Sequence, residues 1–187
     1  MLPHIQNPDF DNGADGWALS PAESGSMEVR NFKGYGWLEG RYPPSRHGDN
    51  FLWTRRSAAK PNMFSQTIRK LEPGRLYSLK MYTGDYRDLV EGKSAQQTHA
   101  VSIKIDGVEM VPAKSFQHVF ANCYSHHLGP FDDKHKFWMN YHQKIFRAKS
   151  ESADLSISDW AGEAEPGGPV GQELIYNFIE VQPYLAE

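Results

Sequence analysis

The amino-acid sequence predicts an all-β domain in which two antiparallel sheets stack as a sandwich. Short segments of alternating apolar and polar residues recur along the chain, and turn-forming residues separate them. Aromatic residues reach 13%, beside 16 glycines and 12 prolines, a composition that favours strands and turns over helices. We expect residues 1–187 to form a single domain.

The predicted strands follow one another with turn residues between them, and no segment predicts a helix. Glu72-Pro73-Gly74 is a strong turn signal, because proline presets one backbone torsion and glycine supplies a positive φ. Asp106-Gly107 lies between two apolar runs and predicts a short β-hairpin. The ten segments that we expect to form strands are 26–31, 35–40, 50–56, 63–71, 75–83, 100–106, 108–111, 138–148, 153–160 and 173–184.

Alternation within these segments predicts which side chains face the core, because successive residues of a strand point to opposite sides of its sheet. Three sets of apolar residues are each expected to share one face: Tyr77, Leu79 and Met81; Val101, Ile103 and Ile105; and Ile175, Ile179 and Val181.

Charge and composition exclude several classes of partner. The formal net charge is -3 with both signs intermixed, so no basic stripe follows a phosphate backbone and nucleic acid is not expected to bind. No apolar run approaches the roughly 20 residues of a membrane-spanning helix, and the start "MLPHIQNP" lacks the features of a signal peptide. The single cysteine, Cys123, allows neither an internal disulfide nor a cysteine-based zinc cage.

Three predicted connections are long, at residues 84–99, 112–137 and 160–172. Connections in compact domains have a median length of about 4–6 residues. Long polar loops on a rigid sandwich are common carriers of function, so we expect these loops to contact a ligand.

The opening segment "NPDFDNGADGW" (7–17) resembles the "N-G-D-F-E-x-G-x-x-G-W" start of galactose-binding-like jelly rolls, the fold of many carbohydrate-binding modules. Four later segments resemble further stretches of that superfamily in the same order. They are "FSQTIRKLEPGRLYSLKMYTGDY" (64–86), "VSIKIDGVEM" (101–110), "WMNYHQKIFRAKSESADLSIS" (138–158) and "IYNFIEVQPY" (175–184). The resemblance implies a jelly-roll sandwich with Trp17 in its core and a carbohydrate as ligand.

The resemblance also implies a structural Ca²⁺ between the N-terminal segment and the last strand. Asp11 matches the acid of the opening motif, and Asn177 matches the first acid of the terminal motif. Asn177 is an amide where many members carry Asp, so one negative charge is missing and calcium would bind more weakly. Phe178 replaces the second acid of that motif. Read without the resemblance, Asp9, Asp11 and Asp15 could instead cap turns through their own backbone.

Catalytic motifs are not evident in the sequence. The segment 124–142 contains several histidines near Asp132 and Asp133, but none has the i,i+4 spacing of a helical metal site and no H-E-x-x-H motif occurs. "GYGWLEG" departs from a dinucleotide-binding loop, and "ESGSM" departs from a nucleophile elbow.

Aromatic rings with polar neighbours are the better candidates for binding, because a sugar presents apolar C–H faces and hydroxyl edges. The favoured patch combines the rings of Tyr82 and Tyr86 with the hydrogen-bonding groups of Asp85 and Arg87. Trp160 is the second choice, and the remaining candidate rings are Tyr35, Trp37, Trp53 and Trp138.

These observations favour a non-catalytic module that binds a polysaccharide, as an accessory domain or companion of a bacterial glycan-degrading enzyme. One alternative is a structural or adhesive β-sandwich without glycan specificity. Another is a β-sandwich lyase or hydrolase that uses His and Tyr residues of 112–142. We expect an extracellular or periplasmic location if the domain belongs to a secreted enzyme.

Overall fold

The computed structural model describes residues 4–39, 48–122 and 135–185. Its strands are β1 (Ala18–Ser20), β2 (Met27–Asn31), β3 (Asn50–Arg55), β4 (Met63–Ile68), β5 (Leu76–Asp85), β6 (Ser102–Asp106), β7 (Val108–Met110), β8 (Phe116–Asn122), β9 (Phe137–Ala148), β10 (Ala153–Ser158) and β11 (Glu173–Pro183). The helices are α1 (Tyr35–Leu38) and α2 (Tyr86–Glu91), with a 3₁₀ turn at Pro112–Lys114. None of these helices is long and apolar enough to span a membrane.

The strands of the described residues form two antiparallel sheets, which confirms the predicted fold class. One sheet has the order β1-β4-β10-β6. The other has the order β2-β3-β11-β5-β9-β7, and β8 also pairs with β9. We call them the four-stranded and the seven-stranded sheet.

The main core lies between the two sheets. Tyr77, Leu79 and Met81 are buried there as predicted, together with Phe64 and Ile157 of the four-stranded sheet. The apolar side chains of β5 therefore face the core in the pattern that the sequence predicts.

Trp17 joins this core, as expected. Its ring stacks on Phe10 at 5.5 Å between centroids and meets the edge of Phe64 at 5.5 Å. The indole N–H donates to the carbonyl of Asn7 at 2.9 Å, and the Asn7 amide donates to the carbonyls of Gly13 and Asp15. The opening turns thus hold the indole over the end of the core.

A second hydrophobic cluster lies on the outer face of the seven-stranded sheet. Helix α1 contributes Tyr35 and Leu38, and helix α2 contributes Leu89. They cover the sheet residues Phe51, Trp53, Phe137, Met139 and Ile175. The two helices therefore convert half of this outer face into interior.

The prediction of a strand at 35–40 is wrong, because Tyr35–Leu38 is helical. Gly34 precedes the helix at φ 92, a left-handed conformation that glycine adopts without steric cost. Tyr35 and Leu38 are three residues apart, so a helical turn points both into the second cluster. Alternation in so short a segment does not distinguish a strand from one turn of helix.

The prediction of a β-hairpin at Asp106-Gly107 is also wrong. Gly107 does form the turn, with φ 84, but β6 pairs with β10 while β7 pairs with β9. The chain therefore crosses from one sheet to the other at this glycine. A two-residue turn fixes the local change of direction and leaves the strand partners to be decided by the rest of the core.

The last strand corrects the expectation that Ile175, Ile179 and Val181 share a face. The pairing of β11 with β5 shifts register between Asn177 and Glu180, where Phe178 has φ 51. Such a bulge inserts one residue and reverses the faces beyond it. Ile175 consequently lies in the second cluster, whereas Ile179 and Val181 lie in the main core.

Two strands were not predicted, β1 and β8. Strand β8 occupies part of the expected loop 112–137. Helix α2 occupies part of the expected loop 84–99. The connection 160–172 contains neither helix nor strand, as predicted.

Gly48, which has φ +95, lies against the bulge residue Phe178, so we expect any larger residue at this position to destabilise the fold. A Cβ there would lie 2.6 Å from Cζ of Phe178 and 2.8 Å from the backbone Cα of Gly36. Gly48→Ala should lower the free energy of unfolding by about 2–5 kcal/mol, the sum of left-handed strain and overpacking. Urea denaturation measures this loss.

Gly13→Ala is the matched control, because Gly13 has φ +62 and a Cβ there meets nothing within 4 Å. It should lose only the strain, about 1–2 kcal/mol. Equal losses for the two variants would contradict the packing assigned to Phe178.

Candidate functional site

Three of the predicted ligand-binding rings are buried. Tyr35 and Trp53 lie in the second cluster at 0% and 1% exposure, and Trp160 is 6% exposed. The Trp160 indole N–H donates to the carbonyl of Ser57 at 3.0 Å, as a packed tryptophan does. In this structure these rings support the fold, and Trp37 is half-buried in α1.

Trp53 is enclosed by charged groups as well as by rings. The guanidinium of Arg30 lies 3.7 Å from the ring centroid, and the indole N–H donates to Glu173 at 3.1 Å. The edge of Tyr86 approaches the same ring at 6.5 Å between centroids. A sugar could reach this indole only by displacing Arg30, so we do not expect Trp53 to bind a ligand.

The structure separates the four residues of the favoured patch. Strand β5 continues to Asp85, so Tyr82 faces outward while Asp85 is buried. Asp85 caps α2 by accepting from the backbone N–H of Asp88 at 3.0 Å. Tyr86 packs over the second cluster, and Arg87 reaches Glu91 and Glu173 in ion pairs of 3.5 and 3.7 Å.

A different group of rings comes together on the uncovered half of the outer face. Tyr82 of β5 and Tyr141 of β9 are direct partners, with ring centroids 5.3 Å apart. Phe116 lies 5.8 Å from Tyr141, and Phe120 lies 5.9 Å from Tyr82. We call these four residues the aromatic surface. Phe116 is 48% exposed, and the other three are partly exposed.

Polar side chains form the next row across the same strands. Lys80 pairs with both Glu180 and Gln143, and Gln143 pairs with Phe116. Cross-strand partners project from the same face of a sheet, so this polar row lies beside the rings. His118 is exposed opposite Tyr141. Apolar ring faces with amide, ammonium and carboxylate groups at their side can contact both surfaces of a sugar.

The sequence located only one member of this surface, Tyr82. Tyr141 lies within the predicted strand 138–148 but was not among the candidate rings, and β8, which carries Phe116 and Phe120, was not predicted. One signal was available, since Phe116, His118 and Phe120 alternate with other residues in the period of a strand.

A buried polar cluster lies on the inner face of the same sheet. The hydroxyl of Thr83 contacts Nδ1 of His99 and Nε2 of His142, both at 2.8 Å. Burial lowers the pKa of His99 to about 4, with Arg56 adding to the effect and Asp85 opposing it. Burial, reinforced by His99 and Lys144, lowers the pKa of His142 to about 3.

The burial of these two histidines is relevant to the alternative that the domain is a lyase or hydrolase. His142 is 3% exposed and His99 is 2% exposed, so both are closed off from a substrate. Asn140 accepts from the backbone N–H of His99 at 3.0 Å and donates to the carbonyl of Gln97 at 2.9 Å. The cluster thus ties segment 93–101 to the sheet. His126, His127, Asp132 and Asp133 lie outside the described residues, as does Cys123.

The two predicted calcium ligands meet at a common neighbour. Asp11 accepts from the Asn50 amide at 3.0 Å, while the Asn177 amide donates to the Asn50 carbonyl at 3.4 Å. Asn177 also donates to Glu39 at 2.7 Å and to the Gly48 carbonyl at 3.0 Å. Its side-chain oxygen is buried and has no hydrogen-bond partner within the described ranges. An oxygen in that state is suited to a cation.

Metal-binding groups built from charged side chains are not found in the described residues. No set of three or more His, Cys, Asp or Glu side chains in ranges 4–39, 48–122 and 135–185 could hold a metal ion. Calcium also accepts amide and carbonyl oxygens, so the site at Asp11 and Asn177 stays a prediction.

Comparisons with known proteins find similarity in fold only. No family model and no curated protein matches the sequence. A "putative sugar binding protein" of Bacteroides thetaiotaomicron has a TM-score of 0.51 at 11% identity, covering 98% of this chain and 100% of that one. The carbohydrate-binding module TmCBM61, solved with β-1,4-galactotriose, has a TM-score of 0.48 at 11% identity, with 98% and 100% covered.

A third structure, the enzymatically active domain of tailspike protein 4 of bacteriophage CBA120, has a TM-score of 0.53 at 10% identity. The match covers 98% of this chain and 22% of that one, so the chain spans about a fifth of the tailspike structure. The expected jelly-roll sandwich of two antiparallel sheets is confirmed at the level of the fold.

The histidine cluster predicts a loss of stability in acid. Both folded-state pKa values lie below the ordinary 6.5, so the unfolded chain binds these protons more readily. The stability that the neutral imidazoles contribute is complete above pH 6.5 and is lost as the pH falls towards 4 and 3. The slope should reach about 1.4 kcal/mol per pH unit for each histidine.

Urea denaturation between pH 7 and pH 4.5 measures this slope. Burial raises the pKa of Asp88 to about 6, which acts in the opposite direction, so the comparison of variants isolates the histidines. His142→Gln should flatten the profile, whereas His118→Gln at an exposed position should leave it unchanged. A His142→Gln profile as steep as the wild type would refute the assignment.

Proposed function

We propose that this chain is a non-catalytic domain that binds carbohydrate on the aromatic surface of its seven-stranded sheet. The observation that carries the proposal is the contiguity of Tyr82, Tyr141, Phe116 and Phe120 on a partly exposed sheet face. Monomeric proteins seldom leave contiguous apolar surface exposed without a use for it.

The register of the strands supports a sugar in particular. One row across the sheet contains Tyr82, Tyr141 and His118, and the neighbouring row contains Lys80, Gln143 and Phe116. The two rows are two residues apart along each strand, about 6.5 Å, so the rings and the hydrogen-bonding groups lie side by side at a distance comparable to one sugar unit. A glycan lying across the strands would place its C–H faces on the rings and its hydroxyls beside the polar row.

The fold shared with the Bacteroides thetaiotaomicron protein supports the same function. The domain would act passively, because a preformed surface that holds a glycan raises the local concentration of any catalytic domain attached to it. An accessory role beside a bacterial glycan-degrading enzyme, outside the cytoplasm, is the context that we propose for it.

A structural or adhesive domain is the second candidate. The burial of Tyr35, Trp53 and Trp160 favours it, because most of the rings that the sequence offers for binding serve the fold instead. The two candidates differ in whether the isolated chain binds glycans.

A glycan array with the wild-type protein tests the proposal, followed by calorimetry on the best ligand. Tyr141→Ala should weaken binding at least tenfold, about 1.4 kcal/mol, because it removes the ring next to Tyr82. Phe116→Ala, at a 48% exposed position, should weaken binding without affecting the fold.

Val170→Ala is the control, because that side chain is 60% exposed in the connection 160–172. It should bind as the wild type does. Absence of binding across the array, or full affinity in both ring variants, would overturn carbohydrate binding at this surface and favour the structural domain.

We also propose that Asp11 and Asn177 hold a structural Ca²⁺. The buried, unpartnered side-chain oxygen of Asn177 supports this, and Asp11 would supply the carboxylate. Calcium bound there would neutralise charge and join the opening turns to β11.

Chelation should therefore lower the melting temperature. At a calcium concentration a hundredfold above its dissociation constant, the ion stabilises the fold by about 2.7 kcal/mol, which shifts Tm by about 5–10 °C in a domain of this size. Differential scanning calorimetry with and without chelator measures the shift. Asp11→Ala should abolish the response, and Asp15→Ala should retain it. A wild-type melt indifferent to chelator would exclude the site.

A further inference from the structure

A groove of about 330 Å³ lies on the outer face of the four-stranded sheet. The aromatic surface lies on the outer face of the other sheet, so the two are on opposite sides of the sandwich. The groove is lined by residues 161–163 and by Pro61, Met63, Ser102, Lys104, Ser156 and Ser158.

The floor of the groove is built from small polar residues in register. Ser158 is the direct partner of Met63 on one side and of Ser102 on the other. Ser156 in turn pairs with Ser65 and Lys104. Partners in a sheet share a face, so within the groove serine hydroxyls lie side by side on β10 and β6, next to Met63 of β4. Because serine side chains are short, they leave room above themselves.

The wall of the groove is held in place by several contacts. The backbone N–H of Trp160 donates to the Ser158 hydroxyl at 3.1 Å, and the N–H of Ala161 donates to the carbonyl of Pro166 at 2.8 Å. A Cβ on Gly167 would lie 2.5 Å from Cβ of Ala161, so the two backbones pack closely. Residues 161–163 therefore stand beside the sheet as a preformed wall.

The lining combines apolar contact with a few polar groups. Met63, 37% exposed, and Pro61 offer apolar surface, while the serines offer hydroxyls that both donate and accept. Lys104 and Glu163 bring opposite charges, which suits a ligand without net charge. The volume is at the lower end of the range for small-molecule sites, enough for one sugar unit and too small for a buried oligosaccharide.

We propose that this groove is a second carbohydrate site, which takes a single neutral sugar unit such as a terminal or branching residue. The inference rests on the proposed sugar-binding function but concerns a separate surface. With sites on both outer faces, one domain would bridge two glycan chains and gain avidity from the pairing.

Titration of the isotope-labelled protein with free glucose, galactose, mannose and xylose, followed by NMR, tests the proposal. At least one sugar should cause saturable shifts in the amides of residues 102–104, 156–158 and 161–163. Ser156→Phe fills the groove and should weaken this binding at least tenfold. Thr67→Phe is the matched control, because Thr67 is on the same sheet but does not line the groove, and it should bind as the wild type does.

Lys104→Ala provides a second variant, since Lys104 is 65% exposed by its side chain and its loss leaves the core intact. It should weaken the binding severalfold even where Ser156→Phe disturbs the fold. Tyr141→Ala should leave the groove titration unchanged, which separates the two sites.

Absence of saturable shifts at the groove for all four sugars would overturn the second site. Binding that survives Lys104→Ala and a folded Ser156→Phe would overturn it equally. If an oligosaccharide still binds the aromatic surface in either case, the proposed function stands without the second site. If neither surface binds, both proposals fail together.

Discussion

The guanidinium of Arg56 fastens two of the long connections, 84–99 and 160–172, to the sandwich through residues in or beside them. It is 1% exposed and donates to the carbonyls of Asp159, Pro169 and Ala100 and to the side chain of Gln172, at 2.6–3.0 Å. A buried cation is costly unless all its donors are satisfied, and hydrogen bonds to a charged group contribute about 1.5–3 kcal/mol each. Because the acceptors come from separate segments, the hydrogen bonds of one guanidinium hold these segments together.

The network extends from Arg56 to the rest of the interior. The buried carboxylate of Asp159 accepts from the backbone and side-chain N–H groups of Asn62, at 2.9 and 2.7 Å. The Gln172 amide donates to Asp85 and Gln97, both at 3.0 Å. Asp85 and Gln97 of the connection 84–99 and Gln172 of the connection 160–172 are therefore structural. The candidate binding surfaces lie mainly on the outer faces of the two sheets, with residues 161–163 as the wall of the groove.

The sequence was sufficient for the fold class and for most strands, because alternation and turn residues are local properties. It failed where non-local pairing decides the outcome. The bulge after Asn177 reverses the faces of β11, and Gly107 sends the chain to another sheet instead of into a hairpin. The aromatic surface was missed for the same reason. Tyr82 and Tyr141 are 59 residues apart in the sequence, and only the register of β5 with β9 makes them neighbours.

The register of β5 with β9 also places the buried cluster of Thr83, His99 and His142 behind the exposed rings. On β5, Tyr82 faces outward and Thr83 inward, and on β9 Tyr141 faces outward and His142 inward. The hydrogen bond between Thr83 and His142 lies behind the pair of rings and adds a side-chain link between two strands that the backbone ladder already pairs. Since a ring that is already ordered loses little entropy on binding, a ligand bound at the proposed surface would gain affinity from this arrangement without any further contact. The inner polar cluster would thus preorganise the proposed surface, although its own side chains are buried.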